Sequence, residues 1–251
     1  MTQPKQHHKE WRWTAGLWTA IVVVLLGFWG FFQLANYASS DEVHGIDEAI
    51  LLSMRSPSDA DNPIGPRWLE ELGRDFTALG GTGVLTLASL IVVTYLLLTG
   101  RRHTAVTIVV SITSGIIVST LLKEFFDRPR PDLVAHGSHT YTSSFPSGHS
   151  MMSAVCYLTL AGLLCTVERS RKIRLYLIGT ALFLTALVGT SRVYLGVHWP
   201  SDVLAGWLTG AAWAALSLWI AHFIYASKQR RDPERDSSKR SGTLENAKNN
   251  T

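Results

Sequence analysis

The sequence predicts an all-α fold: a polytopic membrane protein built as a six-transmembrane-helix bundle. Three observations carry this. Charged residues make up 17% of the chain and hydrophobic ones 47%, where a soluble domain has about 25% charged residues. Six apolar segments, 15–37, 79–99, 104–122, 149–167, 173–190 and 202–225, approach the ~20 residues that a helix needs to cross the hydrocarbon. Each is continuously apolar rather than alternating, and a spanning backbone must satisfy its own hydrogen bonds, so helices are dictated rather than barrel strands.

The first segment follows Lys5, Lys9 and Arg12 and is longer than the roughly 7–15 residues of a signal-peptide core, so it reads as an uncleaved anchor. The loop 38–78 is acidic. Within it, "RWLEELGRDFTALGG" reads as an amphipathic helix with Trp68, Leu69, Leu72, Phe76 and Leu79 on one side, which either lies in the headgroups or packs on the bundle as a cap. Cys156 and Cys165 project from different turns of one span and are expected to pack as small apolar residues.

Short loops rich in Lys and Arg mark the cytoplasmic side. The N-terminus, the turn with Arg101 and Arg102, the turn with Arg169, Arg171, Lys172 and Arg174, and the tail with Lys228, Arg230 and Arg231 are all basic. Six spans put all four on one side, so both termini are expected in the cytoplasm. The connections 38–78, 123–148 and 191–201 then face outward. Residues 1–225 read as one membrane domain, and 226–251, polar and poor in aromatics, as a disordered cytoplasmic tail.

The outward connections hold ionisable residues at helix ends, where charge beside a membrane is expensive and usually functional. In "KEFFDRPRP", Lys123 ends the third span and two prolines hold Arg130 extended. Arg192 closes the fifth span. Three such cations suit a multiply charged anion, and the arginine fork matches phosphate oxygens in pairs. Arg128 is expected merely to snorkel to headgroups.

In "SFPSGHS", Ser147 is a candidate N-cap, Gly148 allows close backbone approach, and His149 opens the fourth helix. Free N–H groups at such an end bind anions. His149 alone could equally be a buried hydrogen-bonding residue. In "SRVYLGVHWPSD", Pro200 suits the first turn of the sixth helix, with His198 before it and Asp202 within it. Asp202 could then take the N–H of His198 and leave the other ring nitrogen's lone pair free; by itself it could equally be an N-cap. Taken together these groups suit phosphoryl transfer, with one histidine as nucleophile, the other as acid, and cations and helix-end amides holding the developing charge. No metal or other cofactor is needed.

Here a resemblance becomes specific. The patterns K-x6-RP at 123–131, PSGH at 146–149 and SR-x5-H-x3-D at 191–202 match, in order, the three-part motif set of the type 2 phosphatidic acid phosphatase (PAP2) superfamily. The resemblance implies that His198 is the nucleophile, Asp202 its partner and His149 the acid. It also implies that Lys123, Arg130, Ser147, Gly148 and Arg192 bind the phosphate. The expected activity is metal-independent hydrolysis of a lipid phosphate or diphosphate through a phosphohistidine, in a bacterial inner membrane. Undecaprenyl diphosphate is the first choice by resemblance, with phosphatidylglycerophosphate, phosphatidic acid and a lipid A phosphate as alternatives. The expected partners are that lipid and the bilayer, with no nucleic acid.

Three rivals are weighed against this. Vanadium haloperoxidases share a similar constellation but are soluble. A transporter of anions or lipid phosphates would need the cations and not the pair His198 and Asp202. Asp132, His136 and His139 form a potential metal set, but no rigid element holds them in ligand geometry.

Overall fold

The computed structural model describes residues 5–40, 45–131 and 143–231. It contains eight α-helices and one two-stranded hairpin among those residues. Helix α1 (Lys5–Ala38) covers the first apolar segment. The outward loop then folds as α2 (Gly45–Ser53), an antiparallel hairpin of β1 (Arg55–Ser56) and β2 (Asp59–Pro63), and α3 (Arg67–Ala78). Next come α4 (Thr82–Leu98), α5 (Arg102–Phe126), α6 (Gly148–Val167), α7 (Arg171–Tyr194) and α8 (Pro200–Arg231).

Five helices are long and apolar enough to span a bilayer, and the pair α3 and α4, bent by 47°, makes a sixth. Side chains such as Leu25, Trp29, Phe32, Leu87, Ile91, Phe183 and Phe223 are exposed on the outside of the bundle. A soluble monomer rarely shows so much continuous apolar surface, and lipid is the solvent that fits it.

Helix α6 is the centre, packed along α8, α7 and α5, while α1 lies along α8. Gly206 and Gly210 of α8 make the α6 contact possible. A Cβ on Gly206 would stand 2.7 Å from the Ser147 carbonyl oxygen, and one on Gly210 2.5 Å from that of Met151. These are backbone atoms that cannot yield, so only glycine fits, as in the small-x3-small contacts of membrane helices.

The second span departs from the expected 79–99. Gly81 is extended (φ −73°, ψ 148°) and acts as N-cap of α4, so the chain breaks at Gly80–Gly81 and α4 alone is 17 residues long. Preceding it, α3 packs on α7, with Gly73 of α3 buried against Tyr194. The amphipathic helix is therefore a cap on the bundle. The last span continues as helix to Arg231, past the expected boundary at 225. Cys156 and Cys165 are both free and buried.

Candidate active site

Each signature segment is placed by a local structural cause. Asp127, in the left-handed region at φ 38°, ends α5, which leaves Lys123 in its last turn. The chain then runs extended through Arg128–Pro131 beside 143–145: Ser144 N–H donates to Arg128 O at 2.8 Å and Ser144 Oγ to Pro129 O at 2.9 Å. Ser147 is the N-cap of α6, accepting from Ser150 N–H at 3.5 Å. Pro200 is the first residue of α8, and Asp202 lies in its first turn. The three segments meet at one end of the bundle.

A backbone bond joins the second to the third. Ser147 N–H donates to Asp202 O at 3.0 Å, so the N-terminus of α6 is fixed against the first turn of α8. Val197 N–H donates to Arg192 O at 3.1 Å, which ties the His198 loop to the end of α7. Arg130 Nη1 donates to Val197 O at 2.9 Å and lies 3.4 Å from His198 Nε2. Because a guanidinium can only donate, Nε2 carries a lone pair on that side and the ring proton belongs on Nδ1.

His198 and Asp202 are buried, at 1% and 0% exposure. His198 Nδ1 stands 3.4 Å from Asp202 Oδ2, facing it as expected but without the alignment of a hydrogen bond. The reason is that Oδ2 is already drawn to Trp199 N–H, at 2.9 Å. His149, second residue of α6, is within electrostatic range of Arg192, His198, Lys123 and Arg130.

Two of the cations have no contacting acid among the described residues. Lys123 Nζ donates to a carbonyl, Ser143 O, at 2.8 Å, and Arg192 Nε is buried with no acceptor. Among the described residues no carboxylate is within ion-pair distance of Lys123 or Arg192. A Cβ on Gly148 would lie 3.3 Å from Lys123 Cε. The N–H groups of Gly148 and His149, in the first turn of α6, have no intrahelical acceptor. Positive groups and the Gly148 and His149 amides gather around His149 and His198, an arrangement that suits a phosphoryl group.

The imidazole of His198 is held well below the ordinary histidine value, first by burial and then by the Arg192, Arg130 and Lys123 cations. The folded protein therefore keeps His198 neutral where an unfolded chain would protonate it, below about pH 6.5. This contribution to stability is present above that pH and is lost as pH falls, by up to about 1.4 kcal/mol per pH unit. Thermal unfolding in detergent from about pH 7 to pH 5 is expected to show a fall in Tm that is smaller in the His198→Gln protein; equal falls would contradict the assignment.

Two expectations change. Arg128 does not snorkel: it is 5% exposed, paired with Asp47 at 2.9 Å and with Asp202 at 2.6 Å. Pro129 and the bonds to Ser144 hold its backbone extended and turn its side chain inward. Through Arg128 the site is joined to Asp47 on α2, a residue of the acidic loop that no local pattern in the sequence singles out. The potential metal set Asp132, His136 and His139 lies outside the described residues.

Beside the site, α3 and α7 enclose an apolar cleft of about 240 Å³ lined by Met54, Leu69, Phe76, Leu187 and Tyr194 among others. Ser191, the neighbour of Arg192, lines it too.

Comparison with known proteins places this arrangement. The sequence model of the PAP2 superfamily matches residues 104–226. Phosphatidylglycerophosphatase B of Bacillus subtilis (strain 168) is 32% identical over 184 residues, covering 72% of this chain and 85% of the relative. An undecaprenyl-diphosphatase of Sulfolobus acidocaldarius is 33% identical over 158 residues, covering 61% of this chain and 68% of the relative. The crystal structure of the transmembrane PAP2-type phosphatidylglycerolphosphate phosphatase of Bacillus subtilis superposes with a TM-score of 0.70 at 29% identity, over 80% of this chain and 96% of that one.

Proposed function

Because this chain belongs to the PAP2 superfamily and is a membrane phosphatase of that type, we propose that it hydrolyses the terminal phosphate or diphosphate of a membrane lipid through a phosphohistidine. The observation that carries the reading is the cluster of Lys123, Arg130 and Arg192 around the neutral His198 and its buried carboxylate.

In the proposed first step, His198 Nε2 attacks phosphorus, the bond from phosphorus to the leaving oxygen breaks, and His149, which takes up a proton when the negative charge of the bound phosphate offsets the surrounding cations, delivers that proton to the leaving oxygen. Negative charge spreads over the equatorial oxygens, where Lys123, Arg130, Arg192 and the Gly148 and His149 amides meet it. Ser147 holds the amides in place as N-cap. Water then attacks phosphorus, His149 takes the water's proton, the bond from phosphorus to Nε2 breaks, and inorganic phosphate leaves. Asp202 faces Nδ1–H and stabilises the charge on the ring while it is phosphorylated.

The substrate proposed first is undecaprenyl diphosphate, the class named for the Sulfolobus relative. Phosphatidylglycerophosphate is the second reading, favoured by the Bacillus relative's coverage of 85% of its length. The apolar cleft between α3 and α7 supports a lipid chain at the site rather than a free phosphate. The site lies at the opposite end of the bundle from the basic turns at 99–102 and 168–171, which supports an outward-facing site with cytoplasmic termini in a bacterial inner membrane.

The test is phosphate release by detergent-purified protein from undecaprenyl diphosphate, phosphatidylglycerophosphate, phosphatidic acid and lipid A, with EDTA present. Release from at least one lipid that survives the chelator is expected. Loss with EDTA and recovery with added magnesium would overturn the metal-free mechanism, and tight binding of all four without turnover would favour a transporter. The same assay in sealed spheroplasts checks the orientation, since an outward site turns over lipid added from outside.

A further inference from the structure

Asp202 turns one oxygen toward His198 and the other away. That second oxygen, Oδ1, accepts from Arg128 Nη1 at 2.6 Å. The same nitrogen donates to Ser201 Oγ at 2.8 Å, and Nη2 donates to Asp47 Oδ2 at 2.9 Å. Asp47 also accepts from Ser201 N–H at 2.9 Å and from Ser201 Oγ at 2.5 Å. All four residues are buried: Asp47 at 2%, Arg128 at 5%, Ser201 at 4% and Asp202 at 0% exposure. Asp47 is carried by α2, outside the segment 104–226 that the superfamily model matches.

We propose that Asp47 is a positioning residue of the active site, setting through Arg128 and Ser201 both the place and the charge of Asp202. The inference rests on the phosphatase reading.

The positional part follows from the bonds. Arg128 comes from the extended segment after α5 and Ser201 from the first turn of α8, and Asp47 grips both. Its carboxylate at the α8 N-terminus is also favoured by the helix dipole. With Asp47 in place, Asp202 has one angle from which to face His198.

The charge part follows from the count of ions. Arg128 facing Asp202 alone would neutralise it, leaving little negative charge for the imidazole. Two carboxylates on one guanidinium leave the buried group with net negative charge, and Asp202 is the member beside the ring. When Nε2 bonds to phosphorus the ring gains positive charge, and that negative charge is then needed. Gluing α2 to the bundle would not require an ion: an apolar contact would do that at less desolvation cost.

The experiment uses the full-length protein in detergent and the lipid phosphate that it turns over fastest. Asp47→Asn keeps the shape and an acceptor for Ser201 while removing the charge. Its kcat is expected to fall about 10–100-fold with KM within about twofold, as for slight misplacement of a reacting group. The Asp47→Asn, Asp202→Asn double variant is expected to be no slower than Asp202→Asn alone, because both losses pass through one carboxylate. If the Asn protein does not accumulate, Asp47→Glu, which moves the charge by one methylene, is read for the same fall in kcat at constant KM.

An unchanged kcat, a change confined to KM, or losses that multiply in the double variant would overturn the inference. The wild type and His198→Ala are assayed beside these variants. A wild type that releases no phosphate from any lipid sinks the phosphatase reading, whereas an active wild type matched by Asp47→Asn sinks only the role of Asp47.

Discussion

Phosphate release by the His198→Ala protein is expected to fall by about 10⁴-fold or more, the scale on which an enzyme loses its nucleophile. The reason is positional. The lone pair of His198 Nε2 lies 3.4 Å from Arg130 Nη1, among the cations that would hold a phosphoryl group. His149 starts α6 and, among the described residues, has no carboxylate at ion-pair distance, so it is not oriented to take over the attack. Alanine removes a buried ring and leaves a cavity, so some fall in Tm is expected, and the rate is read in protein that inserts and still unfolds cooperatively. The measurement is initial-rate phosphate release with melting in the same detergent. Turnover above about a hundredth of wild type in a folded variant would remove His198 from the nucleophile's role.

A different kind of loss is expected from Arg128→Met. That change leaves the Asp47 and Asp202 carboxylates buried, at 2% and 0% exposure, with no cation between them. Breaking a buried ion pair from one side costs about 3–5 kcal/mol, because the stranded charge keeps only neutral donors, here Ser201 for Asp47 and the Trp199 N–H for Asp202. Here two are stranded. Thermal unfolding should show a large fall in Tm, or the protein should fail to accumulate in the membrane. Arg128→Lys should fall between, since a point charge cannot reach Asp47, Ser201 and Asp202 as a planar fork does. A wild-type Tm in the Met variant would mean that the buried ion pairs contribute nothing to the fold.

These two residues mark where sequence reading works and where it stops. Ser147 as N-cap, Pro200 as helix start and Lys123 at a helix end are local facts, written in residues within one turn of each other, and the structure has all three. The apolar runs likewise locate the spans, because hydrocarbon thickness permits little else. Arg128 failed for a nonlocal reason. Its direction depends on Ser144 and its partners are Asp47 and Asp202, none of them adjacent in sequence. Helix α2 and the hairpin after it were hidden because nine residues of helix and a two-residue strand are too short to show a period. The break at Gly80–Gly81 was legible as two glycines, but a bend of 47° needs the packing of α3 on α7 to give it a direction.

The bond from Ser147 N–H to Asp202 O, at 3.0 Å, has a consequence for how the enzyme is assembled and handled. It fastens the two histidine-bearing motifs backbone to backbone, so their spacing is independent of the chain that links them. That link is a helical hairpin whose turn, 168–170 between α6 and α7, sits a full membrane thickness away from the bond. A tag or a short insertion at this turn lengthens the connection without moving either motif. The protein thus carries a natural attachment point for immobilisation at the end remote from its chemistry.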